Sequence, residues 1–211
     1  MKQVQYDGFE LEHFDSALSF RHYQVSLIKK YLKGNFLEVG AGKGGLTSMY
    51  KSYLKNITLL EPDIKLFKYL KKKFEKDKIV IKNYQIKDIK DTFDTIIYFD
   101  VIEHIKEDLN EVKLASDRLN TNSHLIISVP AFQIFYSDFD RSVGHFKRYS
   151  KKDFKEIEKN CDLKIEKLIY YDSIGFLFLL MNKLFSLKST NLKSKIFIWN
   201  LLIPISKILD L

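Results

Sequence analysis

Asn35-Phe36-Leu37-Glu38-Val39-Gly40-Ala41-Gly42-Lys43-Gly44-Gly45 is the stretch on which the reading of this chain turns. A short apolar run carries one acid and then breaks into four glycines within six residues, out of eight in the whole chain. Glycine takes left-handed backbone angles at little cost and lets a ligand approach the main chain closely. A strand running into such a turn, with a helix after it, points backbone N–H groups at a bound group. The spacing fits two templates. Gly40, Gly42 and Gly45 match the G-x-G-x-x-G pattern of dinucleotide sites, which is weak by itself. Glu38, Gly40, Gly42 and Gly44 match acid-x-G-x-G-x-G. The acid separates the two, because a carboxylate repels a pyrophosphate but suits a ligand with a cationic end.

Outward from this turn, strands and helices alternate. The pattern Leu18, Val25, Ile28, Leu32 predicts a leading helix over 16–34, with Gly34 as its stop. Strands are expected at 36–39, 57–60, 79–81, 93–99, 125–129 and 163–171. Helices are expected over 46–54, from Pro62 to about Lys76, and across Leu109, Val112, Ala115 and Leu119. Asn120-Thr121-Asn122-Ser123 reads as a polar turn. Ser150-Lys151-Lys152-Asp153 is a capping box that starts a further helix. Such alternation implies right-handed crossovers, hence an α/β fold with a doubly wound, mostly parallel sheet in a three-layer αβα arrangement. Ligands bind beyond the carboxyl ends of such strands. Glu38–Gly45, Glu61, Asp100–His104 and the loop over 130–150 all fall on that rim.

Composition bounds the rest. The chain has 211 residues, 45% of them hydrophobic and 14% aromatic, enough for one well-buried domain plus an appendage. The single cysteine, Cys161, excludes an intrachain disulfide and is read as a packing residue. Met1–Asp7 lacks the apolar core of a leader, so a cytoplasmic location is expected. The net charge of +8 is almost all lysine in mixed-sign runs such as Lys71–Lys78, and no recognition motif accompanies it, so dedicated nucleic-acid binding is not expected. Residues 1–172 form the expected domain. In the tail, 173–211, two apolar segments (174–187 and 196–209) are broken by Asn182-Lys183 and by Pro204. Neither is long enough to span a membrane. They read as helices that cover the domain, join two copies, or lie on a membrane surface.

Glu38-Val39-Gly40-Ala41-Gly42-Lys43-Gly44, Leu60-Glu61-Pro62-Asp63, Phe93-Asp94-Thr95-Ile96-Ile97 and Asp100-Val101-Ile102-Glu103-His104-Ile105 together resemble the class I (Rossmann-like) S-adenosylmethionine-dependent methyltransferases. The last run is most like the branch acting on small molecules, quinones, lipids and sugars. The resemblance covers about residues 20–170. It implies S-adenosylmethionine as cofactor and S-adenosylhomocysteine as product. Glu38, Gly40, Ala41, Gly42 and Gly44 would cradle the methionine half, Glu61 with Pro62 the ribose, Gln85 (or Asp88) the adenine, and Asp100 with Val101 the reacting methyl. The loop ending Ser137-Asp138-Phe139-Asp140-Arg141-Ser142-Val143-Gly144-His145-Phe146-Lys147-Arg148-Tyr149-Ser150 resembles a subset that modifies cell-surface polysaccharide or lipid. Tyr136, Arg141, Arg148 and Tyr149 are therefore candidate substrate contacts.

Methyl transfer is an in-line displacement that the enzyme promotes by alignment. A hydroxyl acceptor also needs a base, and histidine suits that at neutral pH. His145 is the first candidate and His104 the second, the latter equally readable as a rim or capping residue. No set of Cys, His and carboxylate residues has a metal-ligand spacing in the sequence. The absence of an Asn-Pro-Pro-Tyr-type run disfavours amino methylation of a nucleobase. The expected acceptor is a small, lipid-linked or sugar-linked molecule methylated at oxygen. The alternatives are a nicotinamide-dependent oxidoreductase using Gly40, Gly42 and Gly45, or a non-catalytic domain. The family usually closes its sheet with an antiparallel last strand, which is missing from the pattern after Tyr171. The chain is then truncated, or its sheet is short, or one tail segment is extended.

Overall fold

In a computed structural model, the structure describes residues 11, 14, 16–185 and 192–210. The readings made for Met1–Asp7, and for the end of the first tail segment at residues 186–187, lie outside the described residues.

The leading helix is α1, Leu18–Ile28, extended by a 3-10 turn over Lys29–Tyr31, and Gly34 with φ +60° ends the connection. Strand β1 is Asn35–Val39, followed by α2, Gly45–Tyr50. Strand β2 is Asn56–Leu60 and helix α3 is Ile64–Lys73. Asp63, not Pro62, starts α3: its carboxylate accepts from the N–H groups of Lys65 (2.8 Å) and Leu66 (3.0 Å). Strand β3 is Ile79–Lys82 and β4 is Phe93–Phe99. Helix α4 is Asp108–Ser116 and β5 is Leu119–Ser128.

All pairings are parallel, in the order β3-β2-β1-β4-β5. The chain reverses its direction of travel across the sheet at β1, so the crevice between the ends of β1 and β4 is the topological switch point. The register pairs Val39 with both Leu60 and Tyr98, which brings Gly40, Glu61 and Phe99 to one rim.

Side chains alternate across the sheet. Leu37 and Val39 join Ile96, Tyr98, Val112, Ala115 and Ile157 in one buried layer. Phe36 joins Ile57, Ile97, Leu46, Tyr50 and Leu70 in the other. Glu38 shares the Phe36 face and therefore points at α2, not directly out of the strand end.

Three sequence expectations are corrected. Asn120–Ser123 is not a turn but part of β5, which absorbs an irregularity between its pairings to Phe93 and Thr95, with Asn122 at φ +58°. Leu119 accordingly begins the strand instead of closing α4. Residues 163–171 form no strand: the segment runs beside β5 through side chains, Glu166 with His124 (3.1 Å) and Tyr171 with Ser128 (2.5 Å), without a backbone ladder. No outer strand exists among the described residues to hold its other edge, since helices follow. The sheet therefore has five strands.

After β5 the rim loop contains a short helix α5, Asp138–Ser142, and returns through the bridge Ala131–Tyr149 to α6, Lys151–Asn160. The capping box at Ser150 and Asp153 forms as expected, and Ser137 with Asp140 makes a second. The tail forms α7, Ser173–Phe185, and α8, Leu192–Leu209. Pro204 does not break α8: it forfeits one backbone bond while Ile203 and Ser206 beside it are fully buried. One face of α8 (Ile196, Trp199, Ile203) packs on Ala17, Phe20 and Tyr23 at α1. Asp172 accepts from the Trp199 indole N–H at 2.9 Å, and Asp210 from the Tyr23 hydroxyl at 2.8 Å. Helix α7 meets the rim loop, with the Phe176 ring 5.4 Å from Phe132 and 5.6 Å from Phe135. No helix among the described residues is long and apolar enough to cross a membrane.

Candidate active site

A groove opens on the rim and is lined by Glu38, Gly40, Ala41, Gly42, Glu61, Pro62, Gln85, Asp100, Val101, Glu103, His104 and His145, with Arg21 of α1 on its far side. Gly40, Gly42 and Gly44 all have φ between +56° and +70°. A Cβ on Gly40 would come within 2.6 Å of Val101, so this glycine sets how closely the turn meets the end of β4.

Four N–H groups of the turn are bonded within the protein. Those of Gly40 and Ala41 bond to the Leu60 carbonyl (2.9 and 3.2 Å), and that of Gly44 bonds to Ala41 (2.8 Å). The Gly42 N–H donates to Oε2 of Glu61 at 2.8 Å. The place where a phosphate oxygen would sit thus holds the protein's own carboxylate. The Asp63 N–H donates to the other oxygen of Glu61 at 2.9 Å, and Asn83 donates to the Glu61 carbonyl at 2.8 Å. Burial raises the Glu61 carboxyl to about 7 against these two N–H donors, which pull it down.

Glu38 takes hydrogen bonds from the Thr47 and Tyr50 hydroxyls. It ties β1 to α2 and also lines the groove, where a cation-facing role was expected of it. Gln85 lines the groove, whereas Asp88 is turned back to cap the Gln85 N–H at 3.0 Å. Asp100 has φ +56°, with its N–H bonded to Ser128 at 2.9 Å, and its carboxylate lies 3.6 Å from Nη1 of Arg21.

The rim loop brings its own machinery. Nδ1 of His145 bonds Asp140 at 2.9 Å, leaving Nε2 facing Glu103 at 4.0 Å. Asp140, fully buried, also accepts from Nε and Nη2 of Arg148 (2.8 and 3.1 Å) and from the N–H and hydroxyl of Ser137 (both 2.9 Å). His104 lies against His145 with ring centroids 4.6 Å apart, and burial lowers its imidazole to about 4. The ligand-type atoms of Glu103, His104 and His145 lie within 4.8 Å of one another.

Of the four expected substrate contacts, Arg148 and Tyr149 border the groove, while Tyr136 and Arg141 do not. Arg148 is committed to Asp140. Tyr149 is buried and donates its hydroxyl to Asp108 at 2.7 Å. The Tyr136 hydroxyl donates to the His145 carbonyl at 2.6 Å. Arg141 pairs with Asp138 and lies 5.7 Å from the Tyr136 ring centre, outside the groove. These residues build the loop. Asp140, Glu103 and Arg21 carry the site's electrostatics instead, and the sequence reading gave them no role; the only local signal was the Ser137-x-x-Asp140 capping pattern.

The sequence profile of the family described as "Methyltransferase domain" matches residues 14–168. The chain belongs to that family. The match spans the glycine turn, Glu61, the Asp100–His104 run and the whole rim loop, and it makes S-adenosylmethionine the cofactor of this methyltransferase domain. The groove fits it, with a carboxylate at the end of β2 poised for ribose hydroxyls and occupying the Gly42 N–H.

Solved structures share the fold. YcgJ from Bacillus subtilis is 14% identical over 66% of this chain and 68% of its own, with a TM-score of 0.59. The N-methyltransferase NodS from Bradyrhizobium japonicum, in complex with S-adenosyl-L-homocysteine, is 14% identical over 74% of this chain and 80% of its own, at 0.57. The mitomycin 7-O-methyltransferase MmcR is 16% identical over 76% and 53%, at 0.58. No curated protein matches the sequence.

Proposed function

We propose that this methyltransferase moves the methyl group of S-adenosylmethionine to an oxygen of a small, lipid-linked or sugar-linked acceptor. The observation that carries the cofactor half is the Glu61 carboxylate on the Gly42 N–H. It fills the anion position that a dinucleotide would need and offers its remaining lone pairs to ribose hydroxyls. The acceptor half is supported by the Asp140–His145 pair, a base oriented by a buried carboxylate on the same rim as Asp100. S-adenosylmethionine supplies the methyl and leaves as S-adenosylhomocysteine. As the oxygen–carbon bond forms and the sulfur–carbon bond breaks, Nε2 of His145 receives the acceptor's proton.

Thermal-shift titration tests the cofactor half. S-adenosylhomocysteine should raise the melting temperature and NADH should not; the reverse result rejects the reading. Hydrogen bonds to a charged acceptor contribute about 1.5–3 kcal/mol, so Glu61→Ala should weaken S-adenosylhomocysteine about tenfold or more. Ribose hydroxyls favour the ionised carboxylate, so binding releases the proton that unliganded Glu61 holds below about 7. Affinity should therefore rise with pH toward 7 and level off above it, and this slope should vanish in Glu61→Ala.

A lipid-linked acceptor is favoured by the outer face of α8. Phe197, Ile198, Leu201, Ile205 and Ile208 are exposed there, Phe197 by 68% and Ile208 by 70%, with Lys193 and Lys195 at one end. An apolar helix face flanked by lysines suits the surface of an anionic bilayer. The protein should co-sediment with anionic vesicles, and Phe197→Asp with Ile208→Asp should abolish this. Co-sedimentation unchanged in that double variant rejects the membrane contact.

A further inference from the structure

We infer that Glu103, His104 and His145 bind a divalent transition-metal ion. Two imidazoles and one carboxylate converge from two unconnected pieces of chain, the turn after β4 and the rim loop, with ligand atoms within 4.8 Å of one another. Metal–nitrogen and metal–oxygen bonds of about 2.1 Å place tetrahedral ligands about 3.4 Å apart, so side-chain rotations that close the cluster by up to about 1.4 Å suffice.

The independent observation is Glu103. Its side chain is 0% exposed, it lines the groove, and neither carboxylate oxygen has a hydrogen-bond partner. A buried carboxylate without donors is costly, and such groups are ordinarily paired or bound to metal. Nε2 of His145 faces it, 4.0 Å from Oε1. Nδ1 of His145 is bonded to Asp140, so Nε2 is the ring nitrogen left toward Glu103, across a gap that a cation would fill.

The surroundings are those of a metal site. Asp140 on Nδ1 is the outer carboxylate that fixes the ring and raises its basicity, and Arg148 and Ser137 hold Asp140 in turn. Two imidazoles favour zinc, iron, nickel or copper over magnesium. All three ligands border the groove, so coordination positions stay open toward an acceptor.

The site stands on its own geometry, but it refines the proposed reaction at one point. With an ion held there, Glu103, His104 and His145 would be its ligands, the ion would supply Lewis-acid activation of an acceptor hydroxyl, and His145 would serve as ligand in place of base.

The test uses the full chain stripped with chelator and titrated calorimetrically with zinc chloride and manganese chloride. One ion should bind per chain, with zinc at micromolar affinity or tighter. Glu103→Gln and His104→Gln should each weaken binding at least tenfold, while His22→Gln, on the exposed face of α1 and outside the groove lining, should leave it unchanged. Melting curves and S-adenosylhomocysteine binding on the same samples establish that the variants are folded. Absence of saturable binding, or binding unchanged in a Glu103→Gln/His104→Gln double variant, overturns the inference. Ion binding without S-adenosylhomocysteine binding would instead reject the proposed reaction and leave the metal site standing.

Discussion

Asp140→Ala is expected to cost about 3–5 kcal/mol of folding stability, the range for stranding one partner of a buried ion pair. Asp140 is fully buried and receives five donors: two from Arg148, two from Ser137 and one from His145. Burial alone would raise its carboxyl. The hydrogen bonds from His145 and Arg148, with the Arg148 charge, outweigh that and hold it far below the ordinary carboxylate range. Alanine removes the acceptor and leaves the Arg148 guanidinium buried without its counter-charge. It also uncaps α5 and releases the imidazole of His145. Urea denaturation reads the effect. A loss under about 1 kcal/mol would mean that Arg148 finds another partner and that Asp140 is not the centre of the loop.

The pH dependence has a definite sign. A depressed carboxyl contributes stability above its unfolded value, about 3.9, and this is lost as pH falls through the lower folded value. Asp140→Asn, which keeps the shape, should therefore show a shallower loss of stability on the acid side than the parent protein.

The sheet centre was legible because its strands are buried on both faces and read as apolar runs: Phe36–Val39, Ile57–Leu60 and Phe93–Phe99 each begin or end within one residue of the observed strand. The edges were not. Asn120–Ser123 is polar because that end of β5 is solvated, and polarity in four consecutive residues looks like a turn whether or not a neighbour pairs with it. The opposite error occurred at 163–171. The apolar pattern was real, but a strand is made by its partners, and none stands outside it.

The site divides in the same way. Glycines, Glu61 and Asp100 are tied to strand ends, and strand ends can be counted along the chain. The grouping of Glu103 with His145, 42 residues apart, depends on where the rim loop folds back, which no local spacing encodes. The same folding turned Arg148 and Tyr149 inward. Their side-chain types suited substrate recognition, but partners at Asp140 and Asp108 had already claimed them.

His145→Ala is expected to lower methyl transfer by about 10²–10⁴-fold while leaving S-adenosylhomocysteine affinity near that of the parent. The residues assigned to the cofactor lie on β1, β2 and the end of β4, and His145 reaches the groove from the loop on the acceptor side. Its Nδ1 is fixed by Asp140 and its Nε2 faces Glu103 at the groove, the nitrogen that would take the proton or hold an ion in the proposed reaction. Removing the ring removes both. The assay follows label from methyl-labelled S-adenosylmethionine into acceptor from cell extract, with the rate taken at saturating cofactor. Arg141→Ala is the matched control. Arg141 lies in the same loop, but its head is exposed and paired only with Asp138 on the surface, so turnover should change less than about twofold. Equal losses in the two variants would show that the loop acts as a block and that His145 has no special part. An unchanged rate in His145→Ala, with the cofactor still bound, would reject His145 both as base and as ligand of a catalytic ion, and would move the proton's exit to another group on the rim.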